Sequence, residues 1–157
     1  VWAVNPRNDS LEQLCAYLSQ YAREYFKDTA VDCIVHLQPG LPKLAMSAEL
    51  RHNLFLAFEE SLNNVLKHSS ASTVRIEVQV QAERLQISVN DNGRGFNVPP
   101  NFPFSSLSSP ESGGDGLSNM RQRLADVGGE FSIEGQLGQG TTITLSVALP
   151  ADKLHVS

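Results

Sequence analysis

Glu60, Asn64 and Lys67 recur at helical spacing in the stretch EESLNNVLKHS, residues 59–69. At roughly 100° per residue they fall on one narrow stripe, joined by Asn53 two turns earlier. Leu54, Phe58, Leu62 and Val65 lie opposite and are expected to pack on a sheet. An amide between a carboxylate and an ammonium has an oxygen for Mg²⁺ and a cation that reaches phosphate. Asn63 and Asn64 are poor helix-interior residues, because their amides compete for the backbone. The alternative is an ordinary amphipathic helix with a solvated polar face, although such a face more naturally uses Glu, Lys or Gln.

Three glycine-rich stretches accompany this helix. DNGRGF, residues 91–96, places the Asp91 carboxylate at the head of a loop stripped nearly to backbone by Gly93 and Gly95. Asn92-Gly93 can equally be a hairpin turn, since Asn-Gly tolerates positive φ. In GGDGLSNM, residues 113–120, Gly114 and Gly116 sit directly before an expected helix. Free N–H groups and the positive helix end then point into one space, an anion site by construction. The plainer alternative is a hinge. GQGTT, residues 138–142, reads by itself as a turn entering a strand.

The elements that must hold these residues follow from periodicity. Asn8-Asp9-Ser10 supplies an N-cap signal for LEQLCAYLSQYAREYF, with apolar residues at helical spacing. Residues 31–37, 73–81, 84–90, 130–135 and 141–149 read as strands, and Ala82-Glu83 as the turn between the second and third. Helices are expected over about 48–68 and 117–127, the latter stopped by Gly128-Gly129. Residues 97–113 hold five Ser and four Pro, a loop composition. Strict strand–helix alternation is absent, so a parallel fold is not expected. Paired strands separated by helices predict an α/β two-layer sandwich. Its mixed, mostly antiparallel sheet of about five strands is covered on one face by three helices.

In order, the four stretches are E-x-x-x-N on a helix, D-x-G-x-G after a strand, G-x-G-L opening a helix and G-x-G-T entering a strand. Over roughly residues 30–150 the sequence thereby resembles the ATP-binding catalytic domain of bacterial sensor histidine kinases. That domain belongs to the wider ATPase class that includes gyrase, the heat-shock chaperone and the mismatch-repair ATPases. EESLNNVLKHS and GLSNMRQRLADVGGEF look most like the subfamily whose dimerisation domain differs from the commonest type.

The resemblance implies a Bergerat-type ATP-binding fold with ATP and Mg²⁺ as cofactors. It implies that Asp91 accepts a hydrogen bond from the adenine amine, with Thr141 supporting that contact. Gly93 and Gly95 would let the backbone approach the purine. Asn64 is implied as the Mg²⁺ ligand, Lys67 and His68 as neighbours of the phosphates, and Gly114, Gly116 and Leu117 as the phosphate cradle. Residues 97–113 would be the lid. Glu60 is implied as the catalytic carboxylate, whether by tuning the Mg²⁺ site or by polarising the incoming group.

The same resemblance implies an organisation: a linker and N-terminal helix over 1–29, the catalytic domain over 30–151 and a tail over 152–157. The family's phosphoacceptor hairpin is expected upstream of this chain, since residues 1–29 contain no histidine. His36, His52, His68 and His155 have no acceptor setting. Partners implied are that dimerisation and phosphoacceptor domain and a response regulator, in a full-length homodimer. The domain is expected in the cytoplasm, as part of a membrane-anchored sensor. Two alternatives remain at this point: a stand-alone serine kinase of the anti-sigma type, and a non-enzymatic module whose glycine loops are only turns.

The bulk numbers fit. The chain has 157 residues, 41% hydrophobic and 18% charged, which suits one soluble globular domain. A net charge of −5 argues against nucleic acid or an anionic membrane as the main partner. Cys15 and Cys33 match no metal spacing and read as small hydrophobes in a reducing compartment. No apolar run is long enough to span a bilayer.

Overall fold

The computed structural model describes residues 10–42, 44–93, 115–136 and 138–149; for His68, Ser69, residues 115–118 and Gln136 only the backbone is described. Helix α1 (Leu11–Phe26) begins at Ser10, whose Oγ accepts from the Gln13 N–H at 3.1 Å. This satisfies one of the first-turn donors that a helix leaves free. Strand β1 (Asp32–Leu37) follows. Helix α2 (Ala48–Asn64) starts at a second serine cap, Ser47, which accepts from the Leu50 N–H. Strands β2 (Thr73–Gln81) and β3 (Arg84–Asp91), helix α3 (Asp115–Ala125), and strands β4 (Gly129–Gln136) and β5 (Gly140–Ala148) complete the fold.

The five strands form one sheet in the order β1-β2-β3-β5-β4. β1 runs parallel to β2 and every other pairing is antiparallel. The period-2 patterns of the sequence decide which face is dry. Val74, Ile76 and Val78 of β2, Leu85, Ile87 and Val89 of β3, and Ile143, Leu145 and Val147 of β5 are all buried. They share one core with Leu14, Leu18 and Phe26 of α1, Leu54, Phe58 and Leu62 of α2, and Leu124 of α3. The alternate residues of the same strands, such as Arg75, Glu77, Gln86, Ser88, Thr144 and Ser146, are polar and form the other face. The structure is therefore the expected two-layer sandwich, with its three helices on one face of the sheet.

Cys15 lies in the core, and burial pushes its thiol up to about 12, so it behaves as a small hydrophobe. Among the described residues no helix is long and apolar enough to cross a membrane.

Two local departures from expectation concern the site. The α-helical part of α2 ends at Asn64, and the chain continues as a π turn over Val65–Ser69 before Ser70 adopts a left-handed conformation at φ 55°. Two adjacent asparagines weaken the regular ladder where the turn widens. Helix α3 begins at Asp115, not at Leu117. Gly116 is thus inside the first turn, where N–H groups are still unpaired by the helix itself.

Candidate functional site

The topology brings the motif residues to one end of the sheet. β3 finishes at Asp91, opposite Thr141 at the start of β5 and Val74 at the start of β2. The C-terminal end of α2 leads directly into β2, so it lies at this end too. Helix α3 runs alongside α2: the Asn53 amide donates to the Arg123 carbonyl, and Ser61 Oγ donates to Met120 Sδ. The early turns of α3 consequently sit beside the late turns of α2.

Asp91 is 2% exposed and Thr141 3% exposed, both on the helix-covered side of the sheet. The Gly93 N–H donates to Asp91 Oδ1 at 2.8 Å. Burial raises the Asp91 carboxyl above its ordinary value, while the main-chain N–H groups of Gly93 and Thr141 pull it back down. A buried carboxylate at the edge of an apolar core is a selective acceptor for a neutral N–H donor.

Gly140 fixes this arrangement. Its φ is +92°, and a Cβ built there would lie 1.9 Å from the Asp91 carbonyl oxygen and 3.1 Å from Asn92 Cα. Only glycine permits that approach. The sequence contained the residue, within GQGTT, but not its reason; the reason is the register that sets β5 against β3.

Asn92-Gly93 is not a hairpin turn. The Asn92 side-chain Oδ1 accepts from the Ser72 and Thr73 N–H groups, each at 2.9 Å, and its Nδ2 donates to Ser72 Oγ. Asn92 thereby ties the exit of β3 to the segment joining α2 and β2. The tight turn lies at Ala82-Glu83 instead, with φ of 52° and 62°.

On α2, Leu54, Phe58, Leu62 and Val65 are buried, as their spacing requires. Glu60 and Asn64 are half-buried and Lys67 is exposed on the π turn. Asn53, grouped with them by spacing, belongs to helix packing: its amide serves the Arg123 carbonyl near the end of α3. Glu60 borders a cleft of about 330 Å³ between the three helices, lined also by Tyr25, Glu59, Asn63, Asn119 and Arg123. Asp91 does not line this cleft. Glu60 Oε2 accepts from Asn63 Nδ2 at 3.0 Å, and Asn63 Oδ1 accepts from the Tyr25 hydroxyl at 3.2 Å. The neighbouring Glu59 is held by the Tyr21 hydroxyl at 2.6 Å. Periodicity within one helix cannot reveal these tyrosine contacts, because they cross from α1 to α2. Gly95, Gly114 and the 97–113 segment lie outside the described residues, as do the side chains of His68 and Leu117.

The buried acceptor at the end of β3, the late turns of α2 and the early turns of α3 thus lie at one end of the sheet. The chain belongs to the histidine kinase-, DNA gyrase B-, and HSP90-like ATPase family, whose model matches residues 49–151. Among curated proteins it is 33% identical over 126 residues to the sensor protein VraS of Staphylococcus epidermidis, covering 75% of this chain and 34% of that one. It is 27% identical over 137 residues to the sensor histidine kinase LiaS of Bacillus subtilis, covering 87% and 34%. The chain thus spans about a third of the length of these relatives. Among solved structures, the histidine kinase domain of the Erythrobacter litoralis EL346 blue-light activated histidine kinase superposes with a TM-score of 0.68 at 21% identity, over 98% of this chain and 67% of that one. Full-length ShkA in complex with AMPPNP gives 0.70 at 20% identity, over 89% and 30%. At that identity the likeness concerns the fold.

Proposed function

We propose that this chain is the ATP-binding catalytic domain of a sensor histidine kinase, which binds Mg-ATP and passes the γ-phosphoryl group to a histidine on a separate dimerisation hairpin. The observation that carries the reading is Asp91. It is a buried carboxylate whose Oδ1 is held by the Gly93 N–H, at the end of a sheet in a chain of this ATPase family. Adenine is neutral, so a carboxylate beside its amine accepts a hydrogen bond without opposing the phosphates, which extend away toward α2. Thr141 would flank that contact, and Gly93 and Gly95 would let the backbone approach the purine without a Cβ.

The donor set fits a metal that arrives with the nucleotide. Among the described residues no group of three His, Cys, Asp or Glu side chains could hold an ion by itself. Mg²⁺ keeps several waters and phosphate oxygens and needs few protein ligands, and Asn64 would supply one. Bound there, it would neutralise charge developing on the phosphates. Lys67 and His68 would face the phosphates from the π turn. The N–H groups of Gly116 and Leu117 at the start of α3, with that of Gly114 before it in sequence, would cradle them. The segment 97–113 would close over the nucleotide as a lid.

In the transfer, the acceptor imidazole nitrogen attacks the γ-phosphorus, the bond to the bridging oxygen breaks, and ADP leaves. Glu60 orients or polarises that imidazole. The relatives are sensor kinases, which favours a histidine acceptor over the serine acceptor of an anti-sigma kinase. A response regulator would receive the phosphoryl group in turn. The hairpin and the homodimer it forms would belong to the longer protein, as would attachment to a membrane.

The test is calorimetric titration with Mg-ATP and Mg-GTP, followed by radiolabel transfer from ATP to a histidine-bearing helical hairpin added in trans. The expected result is ATP binding, discrimination against GTP, and acid-labile, base-stable label on the hairpin. Equal affinity for ATP and GTP, or label that survives acid, would overturn the reading.

A further inference from the structure

Asn63 is the residue that the ATP site does not account for. It sits two residues before the π turn and has low helix propensity, and its amide is committed at both ends. Nδ2 donates to Glu60 Oε2 at 3.0 Å, and Oδ1 accepts from the Tyr25 hydroxyl at 3.2 Å. Tyr25 belongs to α1, 38 residues away in sequence from Asn63. We infer that Tyr25 and Asn63 are positioning residues for Glu60, forming a relay through which helix α1 sets the orientation of the catalytic carboxylate. This inference rests on the kinase reading of Glu60.

The chemistry is directional. A tyrosine hydroxyl that donates to the Asn63 oxygen fixes which way the amide faces, and the NH₂ group must then turn to Glu60. An amide in the opposite orientation would set its oxygen against the carboxylate. Burial and the nearby Glu59 and Glu60 carboxylates raise the Tyr25 phenol, so it remains a donor at neutral pH. Glu59 cannot substitute for Glu60 in this role, because the Tyr21 hydroxyl already holds it at 2.6 Å toward α1.

Packing makes the relay rigid at its α1 end. The Tyr25 ring stacks edge-on to Phe26 at 5.1 Å, and the Tyr21 ring meets Phe55 of α2 at 5.0 Å. Phe26 is itself buried in the core. A rotation or axial shift of α1 therefore moves the hydroxyl relative to α2, and the carboxylate loses its tether. The substrate-facing group is thus made responsive to the helix that precedes the domain's sheet.

The experiment is a double-mutant cycle on the phosphoryl-transfer rate to the hairpin, under single-turnover conditions with saturating Mg-ATP. Tyr25→Phe keeps the ring and should slow transfer roughly 2- to 10-fold, the range for one neutral hydrogen bond. Asn63→Leu should slow it about 10- to 100-fold, because the lost bond is to a charged group. Mg-ATP affinity should change less than about twofold in both. In a Glu60→Gln background the Tyr25→Phe effect should vanish, since a relay has no further effect once its target is altered. Equal Tyr25→Phe effects in both backgrounds would show a merely structural role and overturn the inference.

A Glu60→Gln variant that transfers at the wild-type rate would instead refute the role given to Glu60 under the kinase reading. A second measurement on this chain alone needs no activity. The side-chain amide resonances of Asn63 in a ¹⁵N spectrum should move in Tyr25→Phe and in Glu60→Gln alike. If either substitution leaves them in place, the relay does not exist.

Discussion

Replacing Gly140 by alanine tests the geometry of the site at its tightest point. Two costs add there. A φ of +92° is a left-sided conformation that an alanine adopts only with strain, on the order of 1–2 kcal/mol. The new Cβ would also lie 1.9 Å from the Asp91 carbonyl oxygen, so the strand ends must separate by roughly 1 Å or more. That separation loosens the ladder where Asp91 faces Thr141, a further cost of about 1–3 kcal/mol. The comparison is Gly138→Ala, at φ +80° with nothing within 4 Å, which carries only the first cost.

Denaturant unfolding should therefore place Gly140→Ala about 1–3 kcal/mol below Gly138→Ala. In thermal melts the gap should be several degrees, at about 2–4 °C per kcal/mol. ATP affinity should fall for Gly140→Ala and hold for Gly138→Ala. Equal destabilisation by the two substitutions would refute the argument, because the close approach to Asp91 would then carry no energy.

Because burial raises the Asp91 carboxyl above its ordinary value and the ionised form is the stronger acceptor for the adenine amine, ATP affinity should fall as pH drops through that raised value. Asp91→Asn should be about 1–3 kcal/mol weaker than wild type near neutral pH and lack this dependence; a shared pH profile by calorimetry would refute the assignment. Asn64→Ala should weaken ATP binding more in Mg²⁺ than in EDTA, and equal losses in the two conditions would remove the metal role. Ala82→Asn with Glu83→Gly relieves two non-glycine residues at φ 52° and 62° and should stabilise the domain by about 1–2 kcal/mol in urea; no gain would mean the turn is unstrained.

What the sequence disclosed depended on whether a signal was local. Alternation in TVRIEVQVQ and RLQISVN is a period-2 property, so the strands and their dry face were readable. The core stripe of α2 was readable for the same reason. The turn at Ala82-Glu83 was placed by its position between strands, but its positive φ values were not, since neither residue type signals them. The π turn after Asn64 was missed because an apolar periodicity continues across it. Asn92 read as half of a turn dipeptide, whereas its side chain bonds to residues 72 and 73, and no local rule anticipates that. Tyr25 and Gly140 acquired meaning only from partners far along the chain.

The pairing of Asp91 with Thr141 has a kinetic consequence. β2–β3 and β4–β5 are each local hairpins, closed by short turns, whereas β3 and β5 come from sequence-distant segments and meet along eight residue pairs. Loop closure makes that seam the expensive step of sheet assembly. Asp91 and Thr141 lie on its two sides, so the nucleotide pocket comes into being only as the hairpins zip together. A ligand seated across the seam then acts as a clasp on the last-formed ladder. It should lengthen the lifetime of the folded chain by slowing unfolding, while leaving the folding rate nearly unchanged.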